Sequence, residues 1–236
     1  MEPRYNRIVL KLSGEAISGK DFIFDFNIIE RIADEIKKVR DAGVDVGVVV
    51  GAGNIIRGER LGRAGFDKNR ADYMGMVATV INSIMIENVL KRRGVKSVVQ
   101  SALPIETVVE PIDLQKTFNY LEKGYVIIFA AGTGRPHFTT DTAAALRARE
   151  IYADLLLKAT KVRGVYDKDP AKYADARFYP KLSYDEVLSK NLRVMDMSAI
   201  SLCKDGNIPI IVFNIFQEGS MYDIINGKNV GTIIEE

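Results

Sequence analysis

Three short glycine-bearing turns, each directly after an apolar and largely β-branched run, constrain the fold of this chain more than any other feature. They are Lys11-Leu12-Ser13-Gly14, Gly51-Ala52-Gly53-Asn54 and Gly132-Thr133-Gly134. The runs before them, Arg7 to Leu12, Val44 to Val50 and Tyr125 to Ala130, have the nearly continuous apolar character of strands buried on both faces of a parallel sheet. Between the first two runs, Ile28, Ile29, Ile32, Ile36 and Val39 recur at helical spacing, and residues 71–93 have the length and composition of a long helix. The alternation continues, with strands expected at Lys96–Gln100, Ala153–Lys158 and Ile208–Phe213 and helices at 113–122, 141–151, 196–204 and 220–226. This pattern predicts an α/β protein, a three-layer αβα sandwich around a mostly parallel central sheet. In such a sheet the carboxyl ends of the strands share one edge, so three turns can surround one cavity.

Any one glycine turn is also what an ordinary chain reversal needs; three in register point to phosphate. Glycine lets backbone N–H groups approach oxyanions closely, and helix N-termini after the turns add favourable dipoles. Two common nucleotide schemes are excluded by the letters. There is no G-x-x-x-x-G-K-[ST], and Gly51-Ala52-Gly53 runs on into Asn54, Ile55 and Ile56 without the third glycine of a dinucleotide fingerprint. The charged residues near the turns suit phosphoryl transfer. Lys11 ends an otherwise apolar strand, where an ammonium group is costly without an anionic partner. Arg57, one helical turn beyond Gly53, offers a bidentate fork for phosphate. Asp141 follows Thr139-Thr140 and is placed to cap a helix over Thr142 to Ile151.

With 236 residues, 47% of them hydrophobic, and no repeat or linker, the chain reads as a single domain, 1–236. The polar and aromatic stretch from Arg163 to Pro180 reads as a functional loop joining two lobes, about 1–150 and about 151–236. Lys and Arg at 33 against Asp and Glu at 31 leave a net charge of +2, too little to attract a nucleic-acid backbone. Cys203 is the single cysteine, the start MEPRYNRIVLKLSG lacks the apolar core of a signal peptide, and no apolar run approaches the roughly 20 residues of a membrane span. A cytoplasmic location without membrane or nucleic-acid partners is expected. Ser183-Tyr184-Asp185-Glu186 carries a capping box. The helix from Asp72 has two apolar stripes, Met74, Val77, Ile81 and Ile84 on one side and Met76, Val80 and Met85 on another. A surface helix needs one stripe, so this helix is either buried within its own subunit or builds a subunit interface, and the interface is the expectation.

The strings VLKLSGEA (Val9 to Ala16), VVVGAGNIIRG (Val48 to Gly58), ADYMGMVATVIN (Ala71 to Asn82), AAGTGRPHFTTDTAAALRA (Ala130 to Ala148), LKATKVRGVYDKDP (Leu157 to Pro170) and VMDMSA (Val194 to Ala199) resemble the bacterial UMP kinases, in order, from near residue 6 to Thr232. The resemblance implies the amino acid kinase fold and an enzyme that transfers the γ-phosphoryl group of Mg-ATP to UMP, giving UDP and ADP in pyrimidine nucleotide biosynthesis. It implies that Lys11, Leu12, Ser13, Gly14, Gly53 and Arg57 line the ATP phosphates and the transfer site. Lys11 would stabilise charge on the moving group, Arg57 would touch both nucleotides, and Asp141 would orient lysine and substrate. Asp72 would hold the UMP ribose hydroxyls. Ala52 and the run Thr133, Gly134, Arg135, Pro136, His137, Phe138, Thr139 and Thr140 would wrap the uracil and its phosphate, with His137 as a pocket wall or hydrogen-bond donor. Thr160, Tyr166 and Asp169 match the positions of the ATP base and ribose. The lobe about 1–150 would bind UMP and the lobe about 151–236 ATP. Mg²⁺ would arrive with ATP, with no protein metal site. The resemblance further implies an allosteric homohexamer built from dimers and inhibited by UTP.

Two departures from the family pattern stand out. Ala52 replaces a common glycine, and the segment Ser18 to Asp25 is shorter and bulkier than the family's glycine-rich stretch, which argues against GTP activation. Competing readings are a kinase of the same fold acting on a carboxylate, carbamate or isoprenoid phosphate, and a nucleotide-binding regulator without catalysis. Asp72 with Thr133 to Thr140 disfavours the first, and Lys11 with Asp141 the second.

Overall fold

The computed structural model describes residues 2–56, 64–105, 107–190, 192 and 194–236. Among these, the strands are β1 (Arg7–Leu12), β2 (Asp45–Val50), β3 (Ser97–Ser101), β4 (Glu110–Pro111), β5 (Val126–Ala130), β6 (Leu155–Thr160), β7 (Val165–Tyr166), β8 (Phe178–Tyr179), β9 (Lys181–Leu182), β10 (Ile210–Asn214) and β11 (Thr232–Ile234). The α-helices are α1 (Phe26–Asp41), α2 (Lys68–Arg92), α3 (Leu114–Glu122), α4 (Thr140–Glu150), α5 (Tyr184–Ser189), α6 (Met197–Asp205) and α7 (Ser220–Ile225).

Nine strands form one sheet in the order β4-β3-β5-β2-β1-β6-β10-β11-β9, and β7 pairs with β8 separately. Within the large sheet only the β10 and β11 pair is antiparallel. β5, β2 and β1 are adjacent and parallel, so the three glycine turns that follow them emerge side by side at one edge.

Alternation along the strands divides the core into two layers. Ile8, Leu10 and Leu12 of β1 face the side covered by α1, part of α2 and α7, in a cluster that includes Ile36, Leu90 and Ile224. Val9 faces the other side, with Ala143, Ala144, Ala145 and Ala148 of α4 and Ile200 and Cys203 of α6. Helix starts are set by side-chain caps: Asp25 accepts from the Ile28 N–H, Asp67 from that of Arg70, and Ser183 and Glu186 form the expected reciprocal box. Asp67 starts α2 before the Ala71 expected from sequence, because the polar first turn carries no apolar periodicity. The short strands β4, β7, β8, β9 and β11 were likewise illegible: two or three residues are too few for a period.

Both stripes of α2 are real but differ in burial. Met76 and Val80 are buried, whereas Met74, Val77 and Ile81 are 42%, 47% and 47% exposed. The helix has the length and apolar content of a membrane span, yet half of that span is buried within the fold.

Gly231 sits at φ 78°, where a Cβ would lie 2.1 Å from the Val212 carbonyl oxygen. Gly231→Ala is expected to lower stability by about 2 kcal/mol or more, from overpacking and left-handed strain together, as read by urea unfolding; an unchanged midpoint would contradict this.

Candidate active site

Lys11 of β1 and Lys158 of β6 are register partners on adjacent strands, on the face covered by α4. Two ammonium groups side by side in a sheet repel each other. Asp141, in the first turn of α4, lies between them: Lys11 Nζ is 2.8 Å from Asp141 Oδ1, a charge contact poorly aligned for a hydrogen bond, and Lys158 Nζ donates to Oδ2 at 2.7 Å. Lys158 also donates to the Val194 carbonyl. Side-chain exposures of 10%, 15% and 14% for Lys11, Asp141 and Lys158 leave little solvent to screen the group. Burial alone would push the Asp141 carboxyl up, but the charges of Lys11 and Lys158 outweigh it and hold it below the ordinary value. Burial pulls Lys158 down, with Lys11 adding to the effect and Asp141 opposing it.

The expected capping role belongs to another residue. Thr139 caps α4, its hydroxyl oxygen accepting from the N–H groups of Asp141 and Thr142. Asp141 sits inside the helix, free to point its carboxylate at the lysines. The small side chains Ala143, Ala144 and Ala145 let α4 approach the sheet closely enough for this. Asp196 secures the same helix end, accepting from the hydroxyls of Thr139 and Thr142, while its own carboxylate caps α6.

The first two glycine turns are packed backbone to backbone. A Cβ on Gly14 would lie 2.6 Å from Gly53 N and 2.8 Å from Gly51 O, so only glycine fits there. Leu12 is fully buried, and Ser13 closes the turn by accepting from Ala16 N. Ala52 is not in the left-handed region, so its replacement of glycine adds no strain. The third turn does take that region, at Ala131 (φ 61°), Gly132 (φ 58°) and Gly134 (φ 75°). Thr79 of α2 braces it by accepting from the Ala131 N–H at 2.7 Å, and buried Arg147 of α4 donates to the Gly132 carbonyl.

A cavity of about 330 Å³ opens between α2 and the second and third turns, lined by Ala52, Gly53, Asp72, Thr133, Arg135, His137, Phe138, Thr139 and Thr140, with Lys68 at its rim. Gly134 backs instead onto the Ala102 carbonyl, and Pro136 is not part of the wall. His137 holds φ 72°, a costly conformation outside glycine, and thereby aims its N–H at Asp72 Oδ2, 2.8 Å away. Burial pushes the Asp72 carboxyl up, but Lys68 and the His137 N–H outweigh it and hold it below the ordinary range.

A second cavity, of about 600 Å³, lies along the 160–170 segment and is lined by Lys158, Thr160, Tyr166 and Asp169. Lys158 thus ties the wall of this cavity to Asp141 and Lys11, and Lys11 lies near the end of the strand that leads into the first glycine turn. Arg57 lies outside the described residues. Sequence reasoning missed Lys158, Asp196, Thr79 and Lys68. Lys158 was detectable: like Lys11, it is a lysine in an apolar strand and needs an anion.

A model of the amino acid kinase family matches residues 6–214. Among solved structures, the chain is similar to a UMP kinase from Bacillus anthracis, with 38% identity, 98% of this chain and 96% of that one covered, and a TM-score of 0.94. A UMP kinase from Ureaplasma parvum gives 38% identity, 99% and 100% coverage, and a TM-score of 0.92. A uridylate kinase from Archaeoglobus fulgidus gives 27%, 96% and 99%, and 0.73.

Because the folded Asp141 carboxyl titrates below its unfolded value, its contribution is present above the ordinary 3.8 and lost as pH falls through the depressed folded value. Asp141→Asn should therefore cost about 3 kcal/mol at neutral pH and flatten the acid limb of a stability profile. Chemical denaturation between acid and neutral pH reads both; an acid limb as steep as wild type would show that Asp141 is not held this way.

Proposed function

Since the chain belongs to the amino acid kinase family, we propose that it is a UMP kinase, transferring the γ-phosphoryl group of Mg-ATP to UMP to give UDP and ADP. The observation that carries this reading is the buried pair of lysines locked by Asp141, one of them in the wall of the cavity along the 160–170 segment, in a chain 38% identical over nearly its whole length to UMP kinases. One cavity takes the acceptor. Asp72, ionised and lined up by the His137 N–H, accepts from the two ribose hydroxyls, and Thr133, Arg135, Phe138, Thr139 and Thr140 enclose uracil and phosphate. The other takes the donor, with Thr160, Tyr166 and Asp169 at base and ribose. In this reading residues about 1–150 form the acceptor lobe and about 151–236 the donor lobe.

Phosphoryl transfer needs alignment and charge neutralisation more than covalent chemistry. Lys11 and Lys158 place two ammonium groups, held by Asp141, where negative charge develops. Asp141 keeps both lysines in place, with Lys11 directed at the moving phosphoryl. The backbone of Ser13, Gly14 and Gly53 cradles the phosphates, and Arg57 is assigned to the same site. No general base is needed, because a UMP phosphate oxygen is ionised at neutral pH and attacks directly. Mg²⁺ enters bound to ATP, held mainly by the phosphates.

The exposed stripe Met74, Val77 and Ile81 supports assembly through α2, as in a hexamer of dimers. UTP, sharing uridine with the acceptor, is assigned as an inhibitor. The segment before α1 packs Phe22 against Phe24 and Phe26, with ring centroids 5.8 and 6.0 Å apart, a bulky aromatic group in place of a glycine-rich loop, which argues against activation by GTP. The buried free thiol of Cys203, pushed by burial up to about 12, fits a reducing cytoplasm.

An ADP-release assay across UMP, CMP, aspartate, N-acetylglutamate and carbamate should show turnover with UMP; turnover with an amino acid and none with UMP would overturn the assignment. Lys11→Ala should lower kcat by about 100-fold or more with little change in UMP affinity, and equal losses in both would remove Lys11 from the transition state. Asp72→Ala should chiefly raise the UMP KM, by about tenfold or more; an unchanged KM would remove Asp72 from the acceptor site.

A further inference from the structure

Asn82 lies in the middle of α2 with 0% exposure, an expensive place for an amide unless every polar atom is used. All are used. Its Nδ2 donates to the Gly51 carbonyl at 2.7 Å and to Asn54 Oδ1 at 2.8 Å, and its Oδ1 accepts from Asn54 Nδ2 at 3.1 Å. Asn54 Nδ2 also donates to the Ile23 carbonyl at 2.9 Å. The two backbone carbonyls fix which end of each amide is nitrogen, so the reciprocal pair is self-consistent.

This amide pair joins three parts of the molecule. Asn82 belongs to the helix that carries Asp72, Asn54 belongs to the second glycine turn, and Ile23 belongs to the segment before α1. Gly14 closes the arrangement from below: a Cβ there would lie 2.5 Å from Asn54 Oδ1, so the first turn rests directly on the pair. The acceptor wall and the phosphate-cradling turns meet through these two side chains.

We infer that Asn82, acting through Asn54 and Gly51, is a positioning residue for phosphoryl transfer: it sets the second glycine turn relative to the acceptor helix and thereby the alignment of the two phosphates. Neither side chain reaches the reacting atoms in this role. Misplacing aligned reactants by an ångström costs rate far more than affinity, so the signature of the device is in kcat.

The inference rests on the UMP kinase reading, and the experiment separates the two. Wild type, Asn82→Ala, Asn54→Asp and Ser83→Ala are compared by steady-state kinetics, UMP calorimetry and thermal unfolding. Ser83 is an equally buried neighbour whose hydroxyl donates to the Thr79 carbonyl within α2, away from the second turn, so it controls for a lost buried hydrogen bond. Asn54→Asp keeps the acceptor for Asn82 but removes both Asn54 donors, and it serves if Asn82→Ala does not fold. Asn82→Ala and Asn54→Asp should each lose about 10- to 100-fold in kcat while the UMP Kd changes less than about threefold, with Ser83→Ala near wild type at a comparable melting temperature. Losses that track melting temperature across all three variants, or a change confined to UMP affinity, would overturn the positioning role. A wild-type protein that makes no UDP would overturn the functional reading instead.

Discussion

The structure depends on one arrangement of charge: two lysines on adjacent strands of the central sheet and a single aspartate held between them. Removing three ionised groups from water costs several kcal/mol each, and the register of β1 against β6 adds repulsion between Lys11 and Lys158. Asp141 offsets these costs only if α4 seats its first turn directly over the sheet. That requirement explains the alanine face of the helix, the Thr139 cap one residue before it, and the two threonine hydroxyls that tie it to Asp196. Two ammonium groups held in place with little solvent around them suit an anionic ligand.

The glycine turns follow from the same geometry at the neighbouring strand ends. β5, β2 and β1 lie side by side, so their exits crowd one another. Gly14 is forced by the backbone of Gly51 and Gly53, not by φ, whereas the third turn is forced by φ at Ala131 and Gly132 and needs bracing by Thr79 and Arg147. Close packing of bare backbone is also what exposes N–H groups to phosphate. Steric necessity and ligand chemistry coincide here, which is why a single such turn in a sequence says little.

The legible parts of the sequence were those with a period. β1, β2, β3, β5, β6 and β10 and helices α1 to α4, α6 and α7 were each expected within a few residues, because long apolar runs report burial directly. The edge strands β4 and β9 and the short β11 beside β9 were not, since their pairing is decided by the sheet they join. At the site, Lys11 and Asp141 could be singled out because a charge in an apolar run and an acid at a helix start are visible locally. Their partnership with Lys158 was not, because it exists only once β1 and β6 are neighbours. The expectation that Asp141 caps α4 failed for a related reason: both Thr139 and Asp141 are competent caps, and the buried lysines decide between them by claiming the carboxylate.

Helix α2 combines requirements that a single apolar stripe would not meet. Near its start it presents Asp72 to the cavity beside the second and third glycine turns, its middle carries Thr79 and Asn82 to the third and second turns, and its outer face leaves Met74, Val77 and Ile81 exposed. These residues share one helix, so a displacement of that helix through its exposed stripe would move Asp72 and the side chains that hold both glycine turns. A second subunit packed on that stripe would therefore bear on acceptor binding and phosphate alignment together, since α2 cannot shift toward one without moving the other.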